Sequence, residues 1–128
     1  MSDFQTLLAV KDLMSKHIET APSTISVTAV AKLMAEKNIS SVILTDGEGM
    51  FVGIVTEGDI VINGLAKDLD PVTTKASEIM NDDVEKIPGD TSIFEARKIM
   101  TDHKVKHLLV QEGGKPVGLI SSSALLGG

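Results

Sequence analysis

The chain has 128 residues, 42% hydrophobic and 23% charged, with a net charge of −6. That is the balance of a small folded protein rather than a disordered one, and its acidity disfavours non-specific binding to nucleic acid phosphates. It contains no cysteine, which excludes disulfides, thiol catalysis and thiolate metal sites. No apolar run approaches the roughly 20 residues of a membrane span. The N-terminus MSDFQTLLAVKDLM carries acidic residues and no basic region, unlike a secretory signal. With no Trp, no Tyr and three Phe, the chain has few rings for stacking bases and is nearly silent at 280 nm. A soluble, cytoplasmic protein with neither nucleic acid nor membrane as partner is the expectation.

The predicted elements come in two matched series. At an offset of 66, Met14/Met80, Glu19/Glu85, Pro22/Pro88, Ser26/Ser92, Lys32/Lys98, Met34/Met100 and Gly47/Gly113 coincide. One residue then drops out, and Val52/Val117 and Gly53/Gly118 continue the register. Such a repeat sets the symmetry of the fold. The copies are placed at 10–66 and 76–128.

The first copy opens with VKDLM (10–14), one or two helical turns. Ile18-Glu19 follow as a short strand ending before Pro22, where helix is disfavoured. Val27, Val30, Leu33 and Met34 then recur at helical spacing, and Asn38 suits a left-handed residue closing that helix. Residues 42–44 (VIL) read as a buried strand, Asp46-Gly47-Glu48-Gly49 as a turn and 51–55 as the returning strand. A final helix runs from Glu57 towards Leu65, and AKDLDPVTTK (66–75) reads as a polar linker.

The second copy repeats the order. It has ASEIM (76–80), Val84-Glu85 before Pro88, and a Ser92/Glu95 capping box. A helix follows through Ile93, Ala96, Ile99 and Met100. Residues 108–110 and 116–120 form a hairpin about Glu112-Gly113-Gly114, and 122–126 make barely one helical turn. Met14, Met34, Met80 and Met100 recur at matched positions and read as core filler. The fold class is α/β, two pseudo-symmetric β-α-β-β-α repeats packed as one module.

Chemistry concentrates where the first returning strand ends, in GIVTEGDI (53–60). A strand glycine such as Gly53 admits close backbone approach. Asp59, in the first turn of the next helix, suits a cap on the free N–H groups there. It equally suits a vicinal diol such as a ribose. Glu57 and Asp59 lie two apart on a helix start and diverge, which argues against a catalytic carboxylate pair. His103 and His107 straddle a helix end and a strand, without the one-face geometry of paired metal ligands, and no metal is expected. No nucleophile is accompanied by a base and an orienting group, so no catalytic residue is assigned.

The string GIVTEGDI after a hairpin, the opening VKDLM and the doubled unit together resemble a tandem pair of cystathionine-β-synthase (CBS) domains, also called a Bateman module. The resemblance covers nearly the whole chain, from about Val10 to Leu126. It implies a non-enzymatic regulatory protein, of a kind used in energy sensing, that binds an adenosine-type ligand between its repeats and controls a separate effector protein. It also implies a homodimer. The ligand implied is AMP, ADP, ATP or S-adenosylmethionine, with no further cofactor.

Carried onto this chain, one site combines Thr56, Gly58 and Asp59 for the ribose, Val84 and Glu85 for the base, and Lys106 and His107 for the phosphates. The other would combine Ser121 and Ala124 with Ile18, Glu19, Ser40 and Ser41. There Asp59 has become Ala124 and Lys106-His107 has become Ser40-Ser41, so this second site reads as degenerate. The alternative is a structural or protein-interaction module with no physiological small-molecule ligand.

Overall fold

The computed structural model describes residues 8–126. Residues 1–7, the first half of the stretch read above as no secretory signal, lie outside the described residues, as do 127–128 at the end of the second repeat. In chain order the elements are α1 (Val10–Leu13), β1 (Thr20–Pro22), α2 (Val27–Lys37), β2 (Ser41–Thr45) and β3 (Phe51–Thr56), then β4 (Lys86–Pro88), α3 (Ile93–His103), β5 (His107–Glu112), β6 (Lys115–Ser121) and α4 (Ser122–Leu126). Further helical turns follow β3 and precede β4. The doubled α/β pattern is present.

The chain forms two compact units that do not follow the repeat boundaries. One holds residues 19–84; the other holds 85–126 together with 8–18. Each opening segment therefore packs with the other copy's sheet. Ser15 pairs with Leu119 through two backbone bonds, and Asn81 pairs with Ile54 in the same way.

In the unit of 19–84 the strand order is β1-β2-β3, with β1 parallel and β3 antiparallel to β2. In the other unit β4-β5-β6 repeats it, and a register shift falls at the matched points Leu44/Thr45 and Val110/Gln111. The short strands begin two residues later than their sequence pattern suggests and include Pro22 and Pro88. Proline is tolerated because β1 and β4 are edge strands, where a missing N–H breaks no ladder.

Both long helices start on a serine whose Oγ accepts a backbone N–H, Ser26 from Ala29 at 3.1 Å and Ser92 from Glu95 at 3.0 Å. Both end on a left-handed residue, Asn38 as expected and Lys104 without a local signal for it. The segment 66–75 is not a free linker. Pro71 and Thr74 carbonyls accept the N–H groups of Thr28 and Val27, closing two of the open donors at the start of α2.

Each unit has its own core. Val30, Met34, Val42, Leu44 and Val55 pack in one; Val10, Ala96, Met100, Leu108, Val110 and Ile120 pack in the other. Met14 and Met80 are only partly buried, packed against those clusters. Each fully buried Leu or Ile contributes about 1.5–3 kcal/mol relative to exposure.

The helix expected from Glu57 is not a plain α-helix. After one α turn it widens into π winding over Asp59–Gly64 and tightens to 3-10 over Leu65–Lys67. The β-branched run Ile60-Val61-Ile62, followed by Asn63-Gly64, has weak α preference. Wide turns of this kind often mark functional sites.

Candidate functional site

The end of β3 and the turn after it are organised by one carboxylate. Asp59 Oδ2 accepts the Thr56 N–H at 2.8 Å and the Thr56 hydroxyl at 3.0 Å. Thr56 Oγ1 lies 3.3 Å from the Asp59 N–H, which donates back to it. This is a reciprocal capping box on T-x-x-D. The cap, one of the two alternatives in the sequence, is formed through Asp59 Oδ2. Asp59 Oδ1 also accepts a bond from Asn63 Nδ2 at 3.2 Å. Thr56, Glu57 and Gly58 are exposed and Asp59 half-buried, so the group is open to solvent without being mobile on a long tether. Gly58 has ordinary right-handed helical angles, and an added Cβ would meet Thr56 Oγ1 at 3.7 Å. Its side-chain absence leaves space beside the Thr56 hydroxyl rather than relieving strain.

Ser40 and Ser41 share this sheet end. Ser41 is the register partner of Thr56, and the Ser40 carbonyl accepts the Glu57 N–H at 3.1 Å. The Glu19 carbonyl accepts from Ile43 N–H at 2.9 Å, extending the ladder at the start of β1. Residues that the resemblance divides between two sites are thus neighbours within one unit.

The other unit mirrors this arrangement. His107 is the register partner of Ser121, and the Lys106 carbonyl accepts the Ser122 N–H at 2.9 Å. Ser121 Oγ accepts the Ala124 N–H at 3.3 Å and lies 3.0 Å from Ser123 Oγ. Half of the capping box survives here, and the carboxylate half is gone. Lys106 and His107 are exposed at this end. The Glu85 carbonyl joins the ladder by accepting from Leu109 N–H, and the Glu85 carboxylate pairs with His103 Nδ1 at 3.2 Å. Val84 and Ile18 are half-buried.

Two side chains at these ends were not singled out by sequence for these roles: Asn63, four residues after Asp59, and His103, the partner of Glu85. The spacing of Asp59 and Asn63 is the usual one for side chains meeting on a helix, so that signal was present. Away from the site, Lys98 and Asp102 form an exposed i,i+4 pair at 2.8 Å. The hydrogen bond from Lys98 holds the Asp102 carboxyl below the usual carboxylate range and Asp102 in turn raises Lys98. Being fully exposed, the pair is a surface feature of α3.

Besides these ends, the unit of 19–84 carries an open depression of 310 Å³ between α2 and the turn after β3, lined among others by Ala31, Ala35, Ile39, Ile60 and Val61. Val61, which lines it, is 55% exposed, and Ile62 and Leu65 further along the same segment are exposed at 63% and 55%.

A sequence model of the CBS domain matches the chain twice, over residues 10–64 and 76–127. Hypoxic response protein 1 of Mycobacterium tuberculosis is 28% identical over 117 residues, which span 91% of this chain and 82% of that protein. The crystal structure of Hypoxic Response Protein I with two coordinated zinc ions has a TM-score of 0.81 and 28% identity, covering 92% of this chain and 96% of that one. A CBS domain pair solved in complex with 5′-methylthioadenosine and S-adenosyl-L-methionine has a TM-score of 0.79 and 28% identity, covering 94% of each chain. Among the described residues no three His, Cys, Asp or Glu side chains gather so as to hold a metal ion.

Proposed function

Because the chain belongs to the CBS-domain family, we propose that it is a non-catalytic regulatory module that senses an adenosine-containing ligand. The observation that carries this reading is the pre-formed Thr56–Asp59 box at the open end of β3, whose carboxylate is already oriented and needs little ordering to accept a hydroxyl. Asp59, Thr56 and Gly58 take the ribose in this proposal. Val84 and Glu85 take the base, and Lys106 and His107 the phosphates of AMP, ADP or ATP. The similar domain pair that binds 5′-methylthioadenosine and S-adenosyl-L-methionine supports the adenosine class. Ser121 without a following carboxylate supports a single strong site per chain. The ligand acts by its unequal affinity for two states of the module and a separate effector protein.

A ligand that binds only the folded protein raises its melting temperature by mass action. At a hundredfold excess over the dissociation constant the gain is about 2.7 kcal/mol. AMP, ADP, ATP and S-adenosylmethionine at millimolar concentration are the test set, followed by calorimetry. At least one is expected to raise the melting temperature by several degrees. A flat response to all four sinks the sensing role and favours the interaction-module alternative. With no Trp or Tyr, retained adenine would also show directly, as a 260 nm band lost on unfolding and filtration.

The exposed apolar residues Val61, Ile62 and Leu65, of which Val61 lines the α2 depression, support a homodimer, since uncovered apolar faces on small domains are commonly closed by a two-fold copy. Sedimentation at micromolar concentration is expected to give twice the chain mass, and Ile62→Glu about half of that. A single-chain mass for the wild type would refute the dimer.

A further inference from the structure

We infer that Asn63 is a positioning residue for the ribose acceptor: its amide fixes the Asp59 carboxylate so that one acceptor site on Oδ1 faces a ligand hydroxyl. This rests on the adenosine-sensing reading above and adds a residue to it.

An ionised carboxylate offers about four acceptor sites. Three are occupied in this structure. Oδ2 takes the Thr56 N–H and the Thr56 hydroxyl, and Oδ1 takes the Asn63 amide. Thr56 alone grips one oxygen and leaves the carboxylate free to rock about it. Asn63 pins the other oxygen, so the remaining lone pair keeps one direction.

Asn63 is half-buried, its amide reaching Asp59 from four residues on, within the π-wound segment Asp59–Gly64. At the offset of 65 that holds after the dropped residue, Asp59 corresponds to Ala124, where the acceptor is missing.

A residue that holds an acceptor differs in its effects from one that merely supports the fold. Loss of a positioning bond weakens ligands that use the acceptor and spares ligands that do not. Adenosine and 2′,3′-dideoxyadenosine make that comparison, since adenosine is the part shared by AMP, ADP, ATP and S-adenosylmethionine. The measurement is calorimetric affinity of both for wild type, Asn63→Ala, Asn63→Asp and Asn63→Gln, with Asp59→Ala as reference.

In Asn63→Ala, adenosine affinity is expected to fall about 3- to 10-fold, less than a directly lost bond to a charged acceptor because Asp59 itself remains, with dideoxyadenosine unchanged within about twofold. Asn63→Asp, nearly the same shape, replaces the donor with a like charge beside Asp59 and is expected to lose more than Asn63→Ala. Asn63→Gln keeps the donor at i+4, a spacing where amides and carboxylates still meet, and is expected to recover most of the affinity.

Equal losses for both nucleosides, or none in either Asn63→Ala or Asn63→Asp while Asp59→Ala weakens adenosine, overturn the role of Asn63 and leave the proposed function standing. A wild-type protein that binds neither adenosine nor any of the four larger ligands overturns both.

Discussion

Asp59→Ala is expected to weaken the adenosine-type ligand by about 30- to 150-fold, the largest single effect on binding in the molecule. A hydrogen bond to a charged acceptor contributes about 1.5–3 kcal/mol, and a loss of roughly 2–3 kcal/mol converts to that range. The same substitution removes the carboxylate half of the Thr56–Asp59 box, with its bonds at 2.8 and 3.0 Å, and so costs about 1 kcal/mol of stability as well. The two effects separate in Asp59→Asn, where an amide oxygen still accepts the Thr56 N–H but carries no charge. Asp59→Asn should keep most of the stability and lose only part of the affinity. Calorimetric titration beside thermal unfolding reads both quantities. Ala124→Asp probes the opposite change, a restored box partner beside Ser121, with weak binding of a second ligand expected. An Asp59→Ala protein that binds as tightly as wild type would exclude Asp59 as the acceptor, and two equal sites in the wild type would exclude the asymmetry.

The repeat made much of the fold legible because its punctuation is local. Gly113 and Gly114 have positive φ, as a tight hairpin turn requires, and Asn38 closes α2 in the left-handed region. What escaped reading was set by partners distant in sequence. Nothing near Met14 and Ser15 announces pairing with Leu119, yet that pairing moves α1 out of its own repeat's unit. The 66–75 segment looks like a linker because its polar residues hide a backbone task, accepting the N–H groups of Val27 and Thr28. At the candidate site, T-x-x-D was visible and its cap geometry followed from spacing alone. The π winding was not visible, since weak α preference in Ile60-Val61-Ile62 says only that an α-helix is poorly supported there. Glu85 was read for the base, and its contact with His103 depends on α3 ending beside β4, which no local pattern encodes.

Gly118→Ala is expected to be the most destabilising single-methyl change among the strand glycines. A Cβ at Gly118 would stand 2.8 Å from the Ser15 carbonyl oxygen and 2.5 Å from Met14 Sδ. The methionine can swing aside, but the carbonyl is backbone and is held by the Ser15–Leu119 bonds at 2.8 and 3.1 Å. Relief therefore requires the 14–15 segment to lift from β6. Overpacking of this kind costs about 1–3 kcal/mol, and weakening two bonds adds roughly 0.5–1.5 kcal/mol each. Against this stands the Gly-to-Ala gain of about 0.5–1 kcal/mol from a less flexible chain. The net is about 1–5 kcal/mol for Gly118→Ala. At the matched Gly53, the added methyl meets Met80 Sδ at 2.5 Å, but the nearest backbone atom, the Asn81 oxygen, lies at 3.2 Å. Gly53→Ala should therefore cost less, about 1–2 kcal/mol by the same overpacking argument. Gly47 has nothing within 4 Å of such a methyl and no positive φ, so Gly47→Ala should stay within about 0.5 kcal/mol of wild type. Far-ultraviolet circular dichroism in urea follows all three without relying on aromatic fluorescence. Equal stability of Gly118→Ala and Gly47→Ala would show that the 14–15 segment does not rest against β6 as closely as its backbone bonds require.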